Sequence, residues 1–321
     1  MKISIIGTGA YGLALATMFH ETENKNNITM WSKFEEESNI LKNTNKFKNY
    51  KLPTTINYTT NMEECIKNSD LIVIAIPVAF ITDTVKELKK YYENQSILIA
   101  SKGIEQNTNN FSVNIIKKII KVKDIGVISG GTFATDMLKK EPMGLTLATK
   151  STKLKNLVMK TLKNEYIKIQ TTKDITGVEL CGSIKNIMAI ASGIIDGLNY
   201  GDSTKYLFIT KAIYEIQNLI EAFAGDEKTI LTYAGIDDIC MTCSSTNSRN
   251  FTLGKLLGEN TPKEKIEQYK KETTIEGLYT TKSIYELLKI EHIKSPLINL
   301  IYNILYKDTA PNEIINFLKK D

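Results

Sequence analysis

The sequence predicts an α/β fold: a doubly wound, mostly parallel sheet in the first half and an all-helical second half. Three observations predict it. Apolar runs of strand length alternate with helical stretches over residues 1–172, the pattern of βα units and a parallel sheet. One of these runs, residues 71–76, is continuously apolar and closes on Pro77, as a strand covered on both faces does. After about Thr172 strand signals vanish and long helical patterns with few prolines take over. The expected domains are therefore residues 1–172 and 173–321.

Element by element, residues 2–6 read as a short buried strand, 7–12 as a glycine turn and 13–20 as a helix of alternating small and apolar residues, together a βα unit. Residues 28–31 give a second strand and 34–42 a polar helix. Residues 56–59 form a weak strand, and 61–67 a short helix with Asn61 placed to cap it. The run at 71–76 belongs mid-sheet. A helix over 78–92, a strand at 96–100, a helix over 111–120 and a strand at 125–128 continue the alternation. A strand at 144–149, a helix over 151–162 and a strand at 166–170 complete it. Residues 177–198 are apolar almost all round and carry Gly182, Ser183, Ala189, Ala191, Ser192 and Gly193, small residues that let helices approach closely. This helix should be central.

Composition narrows the function. At 321 residues, 42% hydrophobic and 24% charged, the chain can bury one large core or two ordinary ones and is too apolar to be disordered. The net charge of +5 comes from interspersed signs rather than a block, which argues against a nucleic-acid arm and fits an anionic small ligand. The apolar runs fall short of the ~20 residues that span a bilayer, so no membrane span is expected. No charged leader and apolar segment precede the first strand, so no secretory signal is expected. Cys65, Cys181, Cys240 and Cys243 show no paired framework, which suits a reducing cytoplasm. Cys240 and Cys243 form a lone CxxC with His20 and His292 remote, so no metal site is expected. Of 41 Lys and Arg residues only Arg249 is arginine. A chain so biased to lysine, and rich in Asn and Ile, points to drift under nucleotide composition, and the surviving arginine needs a reason.

Gly7, Gly9 and Gly12 form GxGxxG directly after the first strand and at the opening of a helix. In that context the pattern reads as a Rossmann-type site for NAD or NADP, with the helix N-terminus toward pyrophosphate. The acidic residue that would hold a ribose 2′-hydroxyl is absent at the tip of the second strand, where Trp31, Ser32 and Lys33 stand. Lys33 either meets a 2′-phosphate or is a plain surface lysine.

Lys185 sits inside the apolar helix, where an isolated ammonium is prohibitive. It must be paired, snorkel to solvent, or face a cleft, for which the sheet's carboxyl edge is the simplest place. Reducing a ketone requires a proton donor for the nascent alkoxide, and lysine can supply it, such assistance being worth roughly 100- to 10,000-fold. Residues 234–250, AGIDDICMTCSSTNSRN, pack two aspartates, many hydroxyls and the sole arginine into one polar stretch. A guanidinium grips phosphate through two parallel hydrogen bonds, which lysine cannot imitate. The alternative is a structural arginine bridging two helices.

Taken together, GTGAYG, SKG at 101–103, SGGTFATDM, ELCGSIKN and AGIDDICMTCSSTNSRN resemble, in order and spacing and nearly end to end, the bacterial NAD(P)-dependent glycerol-3-phosphate dehydrogenases. The resemblance implies an enzyme moving a hydride between NAD(P)H and dihydroxyacetone phosphate to give sn-glycerol 3-phosphate, a phospholipid precursor. It implies a cytoplasmic homodimer whose partner is a small phosphorylated three-carbon substrate. By resemblance Lys185 is the general acid/base, with Asn186 beside it, Asp238 orienting the ammonium and Thr242 a further active-site hydroxyl. Ser248, Arg249 and Asn250 match substrate-holding positions, and Gly130 and Thr132 a substrate loop. Lys102 and Arg249 match positions lining both substrate and cofactor, and Ala10, Tyr11, Lys33, Ala134 and Glu276 match nucleotide contacts. Two departures stand out. Gly131 replaces the family's usual proline, which should loosen that loop. Asp237 stands where the family has glycine, at a cost if positive φ is required there.

Two other readings compete. A 3-hydroxyacid or 6-phosphogluconate-type dehydrogenase also pairs a nucleotide domain with a helical domain bearing a lysine, and the SRN string argues against it. A non-catalytic NADP-binding sensor is the other, and the intact Lys185 and Asp238 argue against that.

Overall fold

The computed structural model describes residues 1–22, 26–106 and 108–320. Packing divides the chain into two compact units, Met1–Lys102 with Ser112–Ile175, and Gly103–Phe111 with Thr176–Asp321. Each has its own apolar core.

The first unit is an eight-stranded sheet flanked by helices. Its strands are β1 Lys2–Ile6, β2 Asn27–Trp31, β3 Asn57–Thr59, β4 Leu71–Ile74, β5 Ser96–Ile99, β6 Ile125–Ser129, β7 Met143–Thr149 and β8 Ile167–Thr172. They lie in the order β8-β7-β6-β5-β4-β1-β2-β3. All neighbours are parallel except β6 and β7, which pair antiparallel with Val127 opposite Ala148. The order doubles back at β1, the topological switch of a Rossmann sheet, outside whose strand ends ligands bind. All four β4 side chains are buried, as its continuous apolar run requires of a strand with helices on both faces.

The helices between these strands are α1 Ala10–His20, α2 Glu35–Thr44, α3 Met62–Ile66, α4 Ile81–Leu88, α5 Ser112–Ile119, α6 Ala134–Leu138 and α7 Thr152–Thr161. Asn61 caps α3, its side chain accepting from the Glu64 N–H at 3.0 Å. The stretch 78–92 is not one helix, because tight single turns at Val78–Phe80 and Lys89–Tyr91 bracket α4. Pro77 fixes the entry φ at −56°, and the chain tightens before it can settle into an α-helix. Two elements escape sequence reading, a hairpin pairing Lys46–Phe47 with Tyr50–Lys51 and α6. Both are too short for periodicity to reveal.

The second unit is helical: α8 Ile175–Gly197, α9 Asp202–Ala222, α10 Asp238–Cys243, α11 Arg249–Gly258, α12 Lys263–Glu272, α13 Glu276–Ile290, α14 Pro296–Tyr306 and α15 Glu313–Leu318. Contrary to the sequence reading of its apolar runs, α8 is long and apolar enough by length and composition to cross a membrane. It is instead the core of this unit, with 94% of its apolar window buried inside the protein. Its small residues set a close crossing with α11. A Cβ on Gly193 would strike the Phe251 carbonyl, and one on Gly254 the Ile190 carbonyl. Backbone therefore touches backbone at the crossing, and Ser192 Oγ ties α8 to the Cys243 carbonyl at 2.7 Å.

Candidate active site

In the first unit the site begins where β1 stops. Gly7 has φ +117° and a Cβ there would lie 2.5 Å from the Ala75 carbonyl oxygen, so only glycine fits. Its N–H donates to the Trp31 carbonyl at 2.9 Å, tying the turn to the end of β2. A Cβ on Gly12 would collide with the Gly7 carbonyl, so the third glycine lets helix and turn pack. Gly9 differs from both, since a Cβ there would meet nothing within 4 Å. It is the N-cap of α1 and offers no side chain to the first-turn N–H groups. An open approach, unsated N–H donors and a helix dipole fit the pyrophosphate of a dinucleotide.

Ala10 and Tyr11 open α1, Ala134 opens α6, and Lys33 is exposed just beyond β2. Lys102 Nζ donates to the Gly130 carbonyl at 3.4 Å and lies 5.9 Å from the Tyr11 ring centroid. The Tyr11 hydroxyl and Thr132 Oγ1 are buried without a hydrogen-bond partner among the described residues. Two orphaned hydroxyls in one unit with Lys102 suit a polar ligand. Gly131 has no positive φ, so no glycine-only conformation is needed there.

In the second unit α8 carries Lys185, 7% exposed, and Asn186. The Lys185 ammonium pairs with Asp238 Oδ1 and donates to Thr242 Oγ1 at 3.0 Å. Asp238 is wholly buried, and Thr242 donates to its backbone carbonyl at 2.6 Å. The lysine is thus paired rather than snorkelling. Asp238 reaches it because the chain breaks at Gly235, φ −93° and ψ −107°, where a Cβ would strike the Ile230 carbonyl. The break lies inside the wide turn Tyr233–Asp237, and α10 follows it with Asp238 in its first turn. Asp237 lies in ordinary right-handed helix, φ −61° and ψ −52°, so the positive φ considered from sequence is not required and the aspartate carries no backbone strain.

A second network runs beside the first. Asn250 Nδ2 donates to Asn186 Oδ1 at 3.0 Å, Asn186 Nδ2 to Glu276 Oε2 at 3.3 Å, and the Gly277 N–H to Asn250 Oδ1 at 2.9 Å. Ser248 caps α11, accepting from the Phe251 N–H at 3.3 Å. Arg249 follows it, exposed, and its guanidinium forms no ion pair among the described residues. That is no helix-bridging arginine. The polar stretch 234–250 is mostly helical: a wide turn, Tyr233–Asp237, runs directly into α10, and a turn at 244–248 leads to the start of α11.

Burial pushes the Cys243 thiol well above its usual range. Cys240 is raised by burial and then by Asp237, so neither is a thiolate near neutrality. Among the described residues no group of three or more His, Cys, Asp or Glu comes together. Gly7, Gly9, Ala10, Tyr11, Gly12, Lys33, Lys102, Gly130, Thr132 and Ala134 thus fall in the first unit, and Lys185, Asn186, Asp238, Thr242, Ser248, Arg249, Asn250 and Glu276 in the second. Sequence reasoning misses Glu37, whose Oε2 accepts from Thr8 Oγ1 and Ser32 Oγ, both at 2.9 Å. Ser32 and Glu37 stand five residues apart and the N-cap of α2 is Phe34, without a side-chain cap, so no capping-box spacing marks it.

A Rossmann sheet with an open glycine turn, and a helical unit holding a buried ammonium beside hydroxyls and amides, define a pyridine-nucleotide-dependent oxidoreductase. Comparison with known proteins makes this specific. Residues 2–155 match the family model for the NAD-dependent glycerol-3-phosphate dehydrogenase N-terminus, and residues 174–316 that for its C-terminus. The chain belongs to the NAD-dependent glycerol-3-phosphate dehydrogenase family. It is 34% identical to glycerol-3-phosphate dehydrogenase [NAD(P)+] of Staphylococcus epidermidis, covering 99% of this chain and 97% of that one. The Staphylococcus aureus counterpart is 33% identical over the same shares. The crystal structure of glycerol-3-phosphate dehydrogenase from Coxiella burnetii superposes with a TM-score of 0.92 at 27% identity, covering 99% of each chain.

Proposed function

We propose that the chain reduces dihydroxyacetone phosphate, reversibly, to sn-glycerol 3-phosphate with NAD(P)H, Lys185 giving and taking the proton. The observation that carries this reading is the Lys185 ammonium, buried in an apolar helix and held by Asp238 and Thr242. When bound, the nicotinamide supplies the hydride equivalents. Lys185 Nζ places a proton on the oxygen that was the carbonyl, and takes it back in the reverse direction. Asp238 pairs with the ammonium and orients it, and Thr242 fixes the direction of one N–H. Asn186 and Asn250 hold each other and present amides to substrate hydroxyls, while Ser248 and Arg249 take the phosphate. In the first unit Gly7, Gly9, Ala10, Tyr11, Gly12 and Ala134 hold the nucleotide. Lys102, Gly130 and Thr132 contribute toward the substrate.

Four free cysteines support a reducing cytoplasm. Membership of this family supports a homodimer and a role in supplying a phospholipid precursor. Sedimentation of the purified chain tests the dimer. The activity is tested by following NADH and NADPH oxidation with dihydroxyacetone phosphate, beside acetoacetate and hydroxyacids in the reverse direction. Turnover with dihydroxyacetone phosphate alone is expected, and turnover only with the others would overturn the reading.

A further inference from the structure

The end of β2 carries a carboxylate aimed at the glycine turn. The Trp31 carbonyl accepts the Gly7 N–H, and Ser32, 2% exposed, then turns the chain. Its Oγ accepts from the Phe34 N–H at 3.2 Å and donates to Glu37 Oε2 at 2.9 Å. Thr8, inside the glycine motif, donates to the same oxygen at 2.9 Å. Two hydroxyls from the strand end and the turn thus fix one oxygen of an exposed side chain. The other, Oε1, has no hydrogen-bond or ion-pair partner among the described residues.

In a dinucleotide fold the pyrophosphate lies on the helix that the glycine turn opens, and the adenosine ribose falls at the end of the second strand, where an acidic group accepts from its 2′-hydroxyl. Glu37 brings a carboxylate to that place from the first turn of α2 instead of from the strand tip. Glu35 and Glu36, also exposed, add charge of the same sign. Lys33 is the one cation in this turn. A 2′-phosphate carrying nearly two negative charges would meet a fixed anion there, while a 2′-hydroxyl would find an acceptor.

We infer that Glu37 selects NAD over NADP, its Oε1 accepting from the adenosine ribose and its charge excluding a 2′-phosphate. The inference rests on the nucleotide reading of the glycine turn. It is tested by equilibrium fluorescence titration of the full chain with NADH and with NADPH, without substrate, for the wild type and for Glu37→Gln. The variant keeps an oxygen for Thr8 and Ser32 and loses the charge. Wild type should bind NADH at least about tenfold more tightly than NADPH, a difference of ~1.4 kcal/mol. Glu37→Gln should narrow that gap to about threefold or less, through tighter NADPH binding, with an unchanged melting temperature showing that the hydrogen bonds from Thr8 and Ser32 survive. Equal wild-type affinities, or tighter NADPH binding, would overturn the inference even if the variant cannot be made, and would assign the position to Lys33. A gap that Glu37→Gln leaves unchanged would overturn it too. Binding of neither nucleotide would remove the nucleotide reading and this inference together, whereas equal binding with intact turnover removes the inference alone.

Discussion

The glycine turn and the lysine network are built in opposite ways. Everything that shapes the turn lies within a few residues of it or on the neighbouring strand: Gly7, Gly9 and Gly12, with Ala75 and Trp31 beside them. The lysine network joins α8 and α10, with the amide network beside it reaching α11 and α13, and its defining pair, Lys185 and Asp238, is 53 residues apart in sequence. The turn is a local backbone shape whose chemistry belongs to main-chain N–H groups. The network is a set of side chains whose meaning depends on helices packing in one register. A local shape tolerates change around it but not within it, while an assembled network fails when any one partner is removed.

The largest expected effect removes the network's centre. Lys185→Ala should lower kcat by about 1,000-fold or more, the scale of a lost general acid, while the NADH dissociation constant stays within about twofold. A near-wild-type rate would take lysine out of the reaction. The variant also strands the buried Asp238, at roughly 3 kcal/mol of stability. Adding Asp238→Asn should return most of the melting temperature and none of the turnover. Next, Arg249→Lys should raise KM for the phosphorylated substrate about 30-fold, near 2 kcal/mol, for the loss of bidentate geometry. An unchanged KM would make the arginine a surface residue. Gly7→Ala tests the other region. Forcing a side chain into φ +117° against the Ala75 carbonyl should weaken NADH binding about tenfold and leave the pairing of Lys185 untouched, so NADH affinity equal to wild type would mean the turn is not the nucleotide site.

The smallest effect concerns Asp196 near the end of α8. Burial alone would raise this carboxyl, but Lys255 at 3.0 Å and Lys205 at 3.1 Å hold it below its usual value. A group depressed in the folded state stabilises above its unfolded pKa and loses that contribution as pH falls through the folded one. Asp196→Asn should therefore cost about 1 kcal/mol at neutral pH and almost nothing near pH 2, read as melting temperatures at the two pH values. A cost independent of pH would mean packing rather than charge.

The contrast also explains what could be read in advance. The sheet was legible because alternation and the run at 71–76 are local, and GxGxxG was legible because its spacing falls directly after a strand and at the opening of a helix. Asn61 declared its cap for the same reason. The pairing of Lys185 was legible only as a requirement that a buried ammonium have some partner, and the partner's identity came through family likeness. The break at Gly235 was hidden, because the sequence suggested strain at Asp237 and the structure puts the non-helical backbone two residues earlier. Glu37 was missed because its relation to the turn runs through the hydroxyls of Thr8 and Ser32, and a search of the strand tip stops at Lys33. The hairpin at 46–51 and α6 were too brief for any period to accumulate.

The crossing at Gly193 and Gly254 has one more consequence. Arg249 begins the same helix that Gly254 presses, backbone to backbone, onto α8. With no side chain between the two main chains to shorten or lengthen, ordinary exchange of one aliphatic residue for another cannot slide that helix along its neighbour. The main chain that bears the sole arginine therefore keeps a fixed address beside α8, on a molecule whose other 40 Lys and Arg positions are all lysine.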